Sequence, residues 1–199
     1  QLISFANSKA NSHVFNVYYI SALELDDYKV TYRWRMHEKT WDAVVGPKRF
    51  VSQETERKWV EKAISLHERG EVLRFAVREK NSDKLVGILG ITNIDNHNRS
   101  FSTASMMDPE ERGKGIIGKA REMVFRYMFD EMGMERVWVR VLEDNVSSRR
   151  SVEKFGYVQE GVMRKGAWKK GRFKDLIVYS LLKEEFYGLY GKPDAGDPA

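Results

Sequence analysis

Apolar and polar residues change rhythm several times along the chain, and each rhythm predicts a different element. HVFNVYYI (13–20) has the β-branched and aromatic content of a strand, while LELDDYKVTYRWRMHEKTW (23–41) is long, charged and free of Gly and Pro, which predicts one helix. Gly46 and Pro47 break the chain. Ser52 then stands as an N-cap with Glu54 and Glu56 beside the helix start, and Trp59, Val60, Ala63, Ile64 and His67 recur at helical spacing until Gly70. In VLRFAVREK the period falls to two, with Leu73, Phe75 and Val77 on one face. NSDK turns the chain into LVGILGITNI, and SFSTASMM follows DNHNR as a third strand.

From Ile116 the helical period returns: Ile116, Ile117, Ala120, Met123, Val124, Tyr127 and Met128 form one stripe that ends at Gly133. RVWVRVL (136–142) reads as a buried strand, Asn145 as the N-cap of a short helix to Phe155, and Gly156 as its stop. YVQEGVMR and DLIVYSLL are two further strands around a basic turn, KGAWKKGRFK. No internal repeat or shift in composition divides the chain, so one domain is expected over 1–190, with YGKPDAGDPA, rich in Gly, Pro and Asp, expected to fray into a tail over 191–199.

Composition narrows the chemistry. The 199 residues contain no cysteine, which excludes disulfides, thiolate metal sites and a cysteine nucleophile. His13, His37, His67 and His97 sit in unrelated segments without zinc-ligand spacing, so no metal is expected. The net charge of +5 suits an anionic ligand and falls short of a nucleic-acid footprint. No apolar run is long enough for a membrane span and the first residues do not resemble a signal peptide, so a cytoplasmic protein is expected; the start at Gln1 reads as a trimmed one.

The sharpest motif is GKGIIG (113–118), which fits three phosphate-binding descriptions. As a dinucleotide fingerprint it lacks the strand that should run into its first glycine, because DPEER intervenes. As a P-loop it lacks the Ser or Thr for magnesium, having Ala120 instead. A plain glycine turn would have no use for three glycines and two lysines together, whereas glycines at a helix start let a phosphate approach backbone N–H groups.

The third description takes in the C-terminal half. DPEERGKGIIGKAREMVF followed by VRVLEDNVSSRRSVEKFGYVQEG resembles the GNAT superfamily of acetyl-CoA-dependent N-acetyltransferases in motif and in order. The family's R-x-x-G-x-G/A loop maps onto Arg112, Gly115 and position 117, and its N-x-x-S/A with K-x-G-F maps onto Asn145, Ser148, Lys154, Gly156 and Tyr157. TYRWRMHEKTW and VSQETERKWVEK also look like the branch holding ribosomal-protein N-terminal acetylases, spermidine acetyltransferases and amino-sugar acetylases; the likeness spans 14–187. Two positions depart from the pattern: Ile117 stands where the family places Gly or Ala, with Gly118 next to it, and Val152 stands where many relatives carry a tyrosine acid.

The resemblance implies an α/β (α+β) fold with a mixed, mostly antiparallel sheet of about seven strands splayed into a V and about four flanking helices. It places acetyl-CoA along Met106, Met107 and Asp108, on the N–H groups of Gly113, Lys114, Gly115, Ile116, Ile117 and Gly118, beside Arg112 and Lys119, and against Asn145, Ser148 and Lys154. It makes Ser148 the candidate partner of the leaving thiolate, with Asn145 beside it, and Glu160 a candidate base, for which Glu143 and Asp144 are rivals and an ion pair with Arg164 the structural alternative. The expected acceptor is an amine: a protein N-terminus, a polyamine, or an amino sugar, the last free or attached to a nucleotide. The basic run 164–174 disfavours polyamines. The competing reading is a catalytically silent module that binds RNA or a ribosomal partner through that hairpin, with Trp168 and Phe173 as stacking residues. A monomer or homodimer is expected in either case.

Overall fold

The protein is described here by a computed structural model that covers residues 17–192. Seven strands form one sheet in the order β1-β2-β3-β4-β5-β7-β6. They are β1 (Tyr18–Ala22), β2 (Leu73–Glu79), β3 (Leu85–Asp95), β4 (Ser100–Met107), β5 (Arg136–Leu142), β6 (Val158–Lys169) and β7 (Arg172–Leu182). All neighbours are antiparallel except β4 and β5, which are joined by a crossover helix. The helices are α1 (Tyr28–Met36), α2 (Glu38–Ala43), α3 (Gln53–Glu68), α4 (Ile116–Asp130), α5 (Val146–Phe155) and α6 (Lys183–Tyr190), with 3-10 turns at Leu25–Asp27 and Pro109–Glu111. Six helices thus flank the sheet among the described residues, two more than the pattern predicts.

Strand alternation sorts the two faces. Leu73, Phe75 and Val77 of β2 join Leu89, Ile91 and Phe101 in the main core under α4, α5 and α6. Ala76, Ile88 and Met106, of the opposite parity, meet Trp34 of α1 and Ala63 of α3. In the main core Phe125 lies 5.6 Å from both Phe101 and Phe155, and Phe186 lies 5.4 Å from Phe129. Phe186 comes from α6, an element the sequence pattern left unread; its ring is fully buried, and truncation to Ala costs about 3–5 kcal/mol.

The predicted single helix over 23–41 is two helices with a break at His37, whose ψ of 122° is extended. The indole N–H of Trp41 donates to the Arg35 carbonyl at 2.6 Å, supplying a partner the broken helix no longer provides. The predicted strand at 13–20 is described only from Tyr18 onward, residues 13–16 and the tail beyond Lys192 lying outside the described residues. Nor is 165–174 a basic turn: β6 and β7 extend through it, and only Lys170 and Gly171 connect them.

The feature that positions the site is a gap in the sheet. β4 pairs with β5 only over Ser100–Ser102, opposite Arg136–Trp138. Beyond that, β4 stays with β3 to Met107 and β5 stays with β7 to Leu142, so their facing edges part. Ala104 and Ser105 are exposed in mid-strand as a result.

Candidate functional site

The loop after β4 opens at the mouth of this gap. Asp108 accepts from the Glu110 N–H at 3.0 Å and so caps the 3-10 turn. Gly113 and Gly115 adopt φ of +83° and +77°, the left-handed region, and nothing lies within 4 Å of a Cβ added at either. The Gly118 and Lys119 N–H groups already bond to the Gly115 carbonyl. By contrast the N–H groups of Gly113, Lys114, Gly115, Ile116 and Ile117 donate to no acceptor among the described residues. They are gathered at the positive end of α4, where backbone donors and the helix dipole favour an anion. The Ile117 side chain packs against the main core while its N–H stays available.

The predicted cations are less free than the sequence suggests. Lys114 pairs with Glu111 at 2.7 Å, Lys119 with Glu122 at 3.3 Å, and Arg112 donates to the Thr40 hydroxyl at 3.2 Å. Hydrogen bonding from Lys114 holds the Glu111 carboxyl below its ordinary pKa, and desolvation lowers that of the Arg112 guanidinium. Met106 and Met107 form the last β4 residues at the gap, with Met107 packed over Gly87 and Met106 against the second core.

Across the gap, Asn145 Oδ1 accepts the Ser148 N–H at 3.1 Å and its Nδ2 donates to the Ala43 carbonyl at 3.4 Å. The amide thus caps α5, and the half-buried Ser148 hydroxyl has no partner among the described residues. Lys154 is exposed near the far end of the same helix. Val152 is 2% exposed and belongs to the core, so no acid occupies that position.

Glu160 is not brought to this group. Arg136 grips its carboxylate through both guanidinium nitrogens, 2.7 Å at Oε1, and this bonding depresses the Glu160 pKa. Arg136 is the first residue of β5, about 20 Å of strand from Leu142 at the gap. The ion pair anticipated with Arg164 is therefore one with Arg136. Of the rivals at the end of β5, Asp144 is engaged by Lys174, whereas Glu143 is exposed and forms no ion pair among the described residues.

The far wall comes from an unexpected clasp. Lys169, 7% exposed, donates to the carbonyls of Trp41, Val44 and Gly46, the last at 3.1 Å, and so closes the C-terminal end of α2. Lys170 pairs with Asp42 at 2.7 Å, and Val45 packs against Leu142, Ala167 and Leu176. Residues 40–46 therefore touch Arg112 on one limb of the V and Asn145 and Lys169 on the other.

A sheet splayed at a parallel pair, with a glycine cradle on one limb and a capped Asn-x-x-Ser helix on the other, defines the GNAT type of acyltransferase. Residues 19–158 match the acetyltransferase (GNAT) domain family, and the chain belongs to it. Bacillus subtilis YdaF, provisionally named a ribosomal N-acetyltransferase, is 36% identical over 104 residues, 52% of this chain and only 57% of YdaF. The uncharacterized N-acetyltransferase p20 of Bacillus licheniformis is 28% identical over 167 residues, 83% of this chain and 93% of p20. The spermidine N-acetyltransferase of Vibrio cholerae, solved with CoA and spermine, shares the fold with a TM-score of 0.76 at 19% identity, covering 86% of this chain and 98% of that one. No helix among the described residues is long and apolar enough to cross a membrane, and no cluster of three or more His, Cys, Asp or Glu residues among them could hold a metal.

Proposed function

We propose that the protein moves the acetyl group of acetyl-CoA directly to a primary amine, on a small molecule such as an amino sugar or nucleotide-linked amino sugar, or at a protein N-terminus. The observation that carries this reading is the run of five unbonded N–H groups, Gly113 to Ile117, at the start of α4 and beside the open edge of β4. A diphosphate can take these donors without displacing a native hydrogen bond, and the empty space over Gly113 and Gly115 lets it approach. The unpaired edges of β4 and β5 offer backbone groups to an extended arm lying between them.

With no cysteine in the chain, the acetyl group cannot pause as a cysteine thioester. The amine attacks the thioester carbonyl; as the C–N bond forms and the C–S bond breaks, the amine gives up a proton and the thiolate accepts one. The Ser148 hydroxyl, left free because Asn145 does the capping, is placed to hydrogen-bond the departing sulfur. Glu143, exposed at the end of β5, is the carboxylate nearest in sequence to that helix start without an ion-pair partner, and takes the place of Glu160 as candidate base. The silent RNA-binding reading loses support because Lys169, Lys170 and Lys174 are each spent on internal partners.

The test is thiol release from acetyl-CoA across a panel of amines, with initial rates at varied concentrations of both substrates. Amine-dependent release with intersecting lines is expected. Release that ignores the amine, or parallel lines with a trapped acetylated protein, would overturn direct transfer.

A further inference from the structure

Resting on the transfer reading, we propose that the acceptor amine carries an anionic group, a carboxylate or phosphate, and that Arg74 binds it on the α1/α3 face of the sheet. Arg74 lies in one cross-strand row with Gly90 of β3 and Ala104 of β4, so that row runs from the arginine to the edge of the gap. Its parity is that of Ala76 and Ile88, which places it on the face opposite the main core. The guanidinium occupies the space over Gly90 with Nη1 nearest: a Cβ there would fall 1.9 Å from Nη1 and 3.0 Å from Cζ. Two strand spacings, about 10 Å, separate β2 from β4, and the side chain spans the first of them toward exposed Ala104.

What makes this arginine unusual is its lack of an acceptor. It is half-buried, and no carboxylate or carbonyl among the described residues takes a hydrogen bond or ion pair from its guanidinium. The neighbouring charges Arg35 and Glu56 pair with each other, although Glu56 Oε1 is buried without a hydrogen-bond partner. Arg35 contacts Glu56 at 2.6 Å and stacks on Trp59 at 4.6 Å, and Glu56 is 1% exposed. Desolvation lowers the Arg74 pKa, and the like charge of Arg35 adds to the shift. A partly buried cation beside a second cation, on a glycine that keeps its path open, is costly unless an anion arrives. Across the gap on β5, Arg140 is exposed over the Trp138 ring at 5.4 Å and adds the same sign. Polyamines meet repulsion here; an amine tethered to a carboxylate or phosphate meets a fork that can bind it in a bidentate manner.

Matched acceptors test this: phosphoethanolamine against ethanolamine for phosphate, γ-aminobutyrate against n-butylamine for carboxylate, and spermidine as the cationic comparator. In at least one pair the anionic member should have a kcat/KM at least about tenfold higher, through KM. Arg74→Gln should abolish that preference and Arg74→Lys should keep part of it. Gly90→Ala, which drives a methyl into the guanidinium's place, should imitate Arg74→Gln without touching the arginine itself. Binding of the same five amines to the CoA complex, measured by calorimetry, separates the two readings. Anionic amines that bind through Arg74 but are not acetylated would leave the anion site standing and end the transfer reading. Acetylation without preference in either pair, spermidine as the best acceptor, or a preference that survives both variants would overturn the anion site while transfer stands.

Discussion

Asn145 Oδ1 accepts the Ser148 N–H at 3.1 Å, so the amide and not the hydroxyl satisfies the start of α5. One residue does the structural work and the hydroxyl of its neighbour one turn on has no partner among the described residues. Ser148→Ala should therefore lower kcat by about ten- to a thousandfold with little change in acetyl-CoA affinity or melting temperature. Asn145→Ala should instead cost about 1 kcal/mol of stability as a lost cap. Steady-state kinetics and thermal melts of the pair would separate the roles; an unimpaired Ser148→Ala would leave that hydroxyl without function.

The cradle makes opposite predictions for two glycines three residues apart. Gly115, at φ +77°, cannot take a side chain without strain, and Gly115→Glu adds negative charge beside the N–H run; acetyl-CoA affinity should fall at least about tenfold. Gly118 is already bonded within α4 and has open space at Cβ, so Gly118→Ala should leave affinity alone and raise stability by about 0.5–1 kcal/mol. Calorimetric titration with acetyl-CoA checks both. Saturating acetyl-CoA should also raise the melting temperature of the unaltered protein by several degrees, as expected for a ligand that binds only the folded state.

Glu160→Gln should keep kcat/KM, because Glu160 is tied to Arg136 at the far end of β5. Its effect belongs to stability against pH. A carboxyl whose folded pKa lies below the ordinary 4.5 contributes stability that is present above 4.5 and is lost as pH falls through the lower folded value. Denaturant melts between pH 7 and pH 3 should show that acid loss in the unaltered protein and a smaller one in Glu160→Gln. A collapse of turnover would restore Glu160 as the base.

Lys169→Met should remove one buried cation and leave the Trp41, Val44 and Gly46 carbonyls without it, a loss of about 2–4 kcal/mol. Melting temperature should drop by several degrees, and acceptor KM should rise more than acetyl-CoA KM because α2 is the wall affected.

The sequence and the structure part company where tertiary contacts overrule local pattern. The meander β2-β3-β4 and the helix from Ile116 were legible because their apolar periods of two and 3.6 are continuous, and Ser52, Asn145 and Gly156 marked helix ends by their own chemistry. The break at His37 was not, since nothing in 23–41 disfavours helix; it depends on the Trp41 indole reaching back to Arg35. The stretch 165–174 looked like a solvated turn because its residues are basic, yet Lys169 and Lys174 point inward to partners far away in sequence while Trp168 and Phe173 pack together outside. Helix α6 is eight residues long with Gly188 inside it, too short for a periodic signal, and is fixed by Phe186 entering the aromatic core. In the candidate site the glycine loop at the start of α4 and the Asn145–Ser148 cap could be read from spacing. The charge state of their surroundings could not, because Glu111, Glu122 and Arg136 find their partners only in three dimensions.

The lysine clasp on α2 also sets an order of assembly. Lys169 and the Trp41 carbonyl are 128 residues apart, so as the chain emerges from its N-terminus α2 can fold early but cannot be fastened until nearly the last hairpin is made. A chain that ends before Lys169 would have α2 but lack the clasp that fastens it.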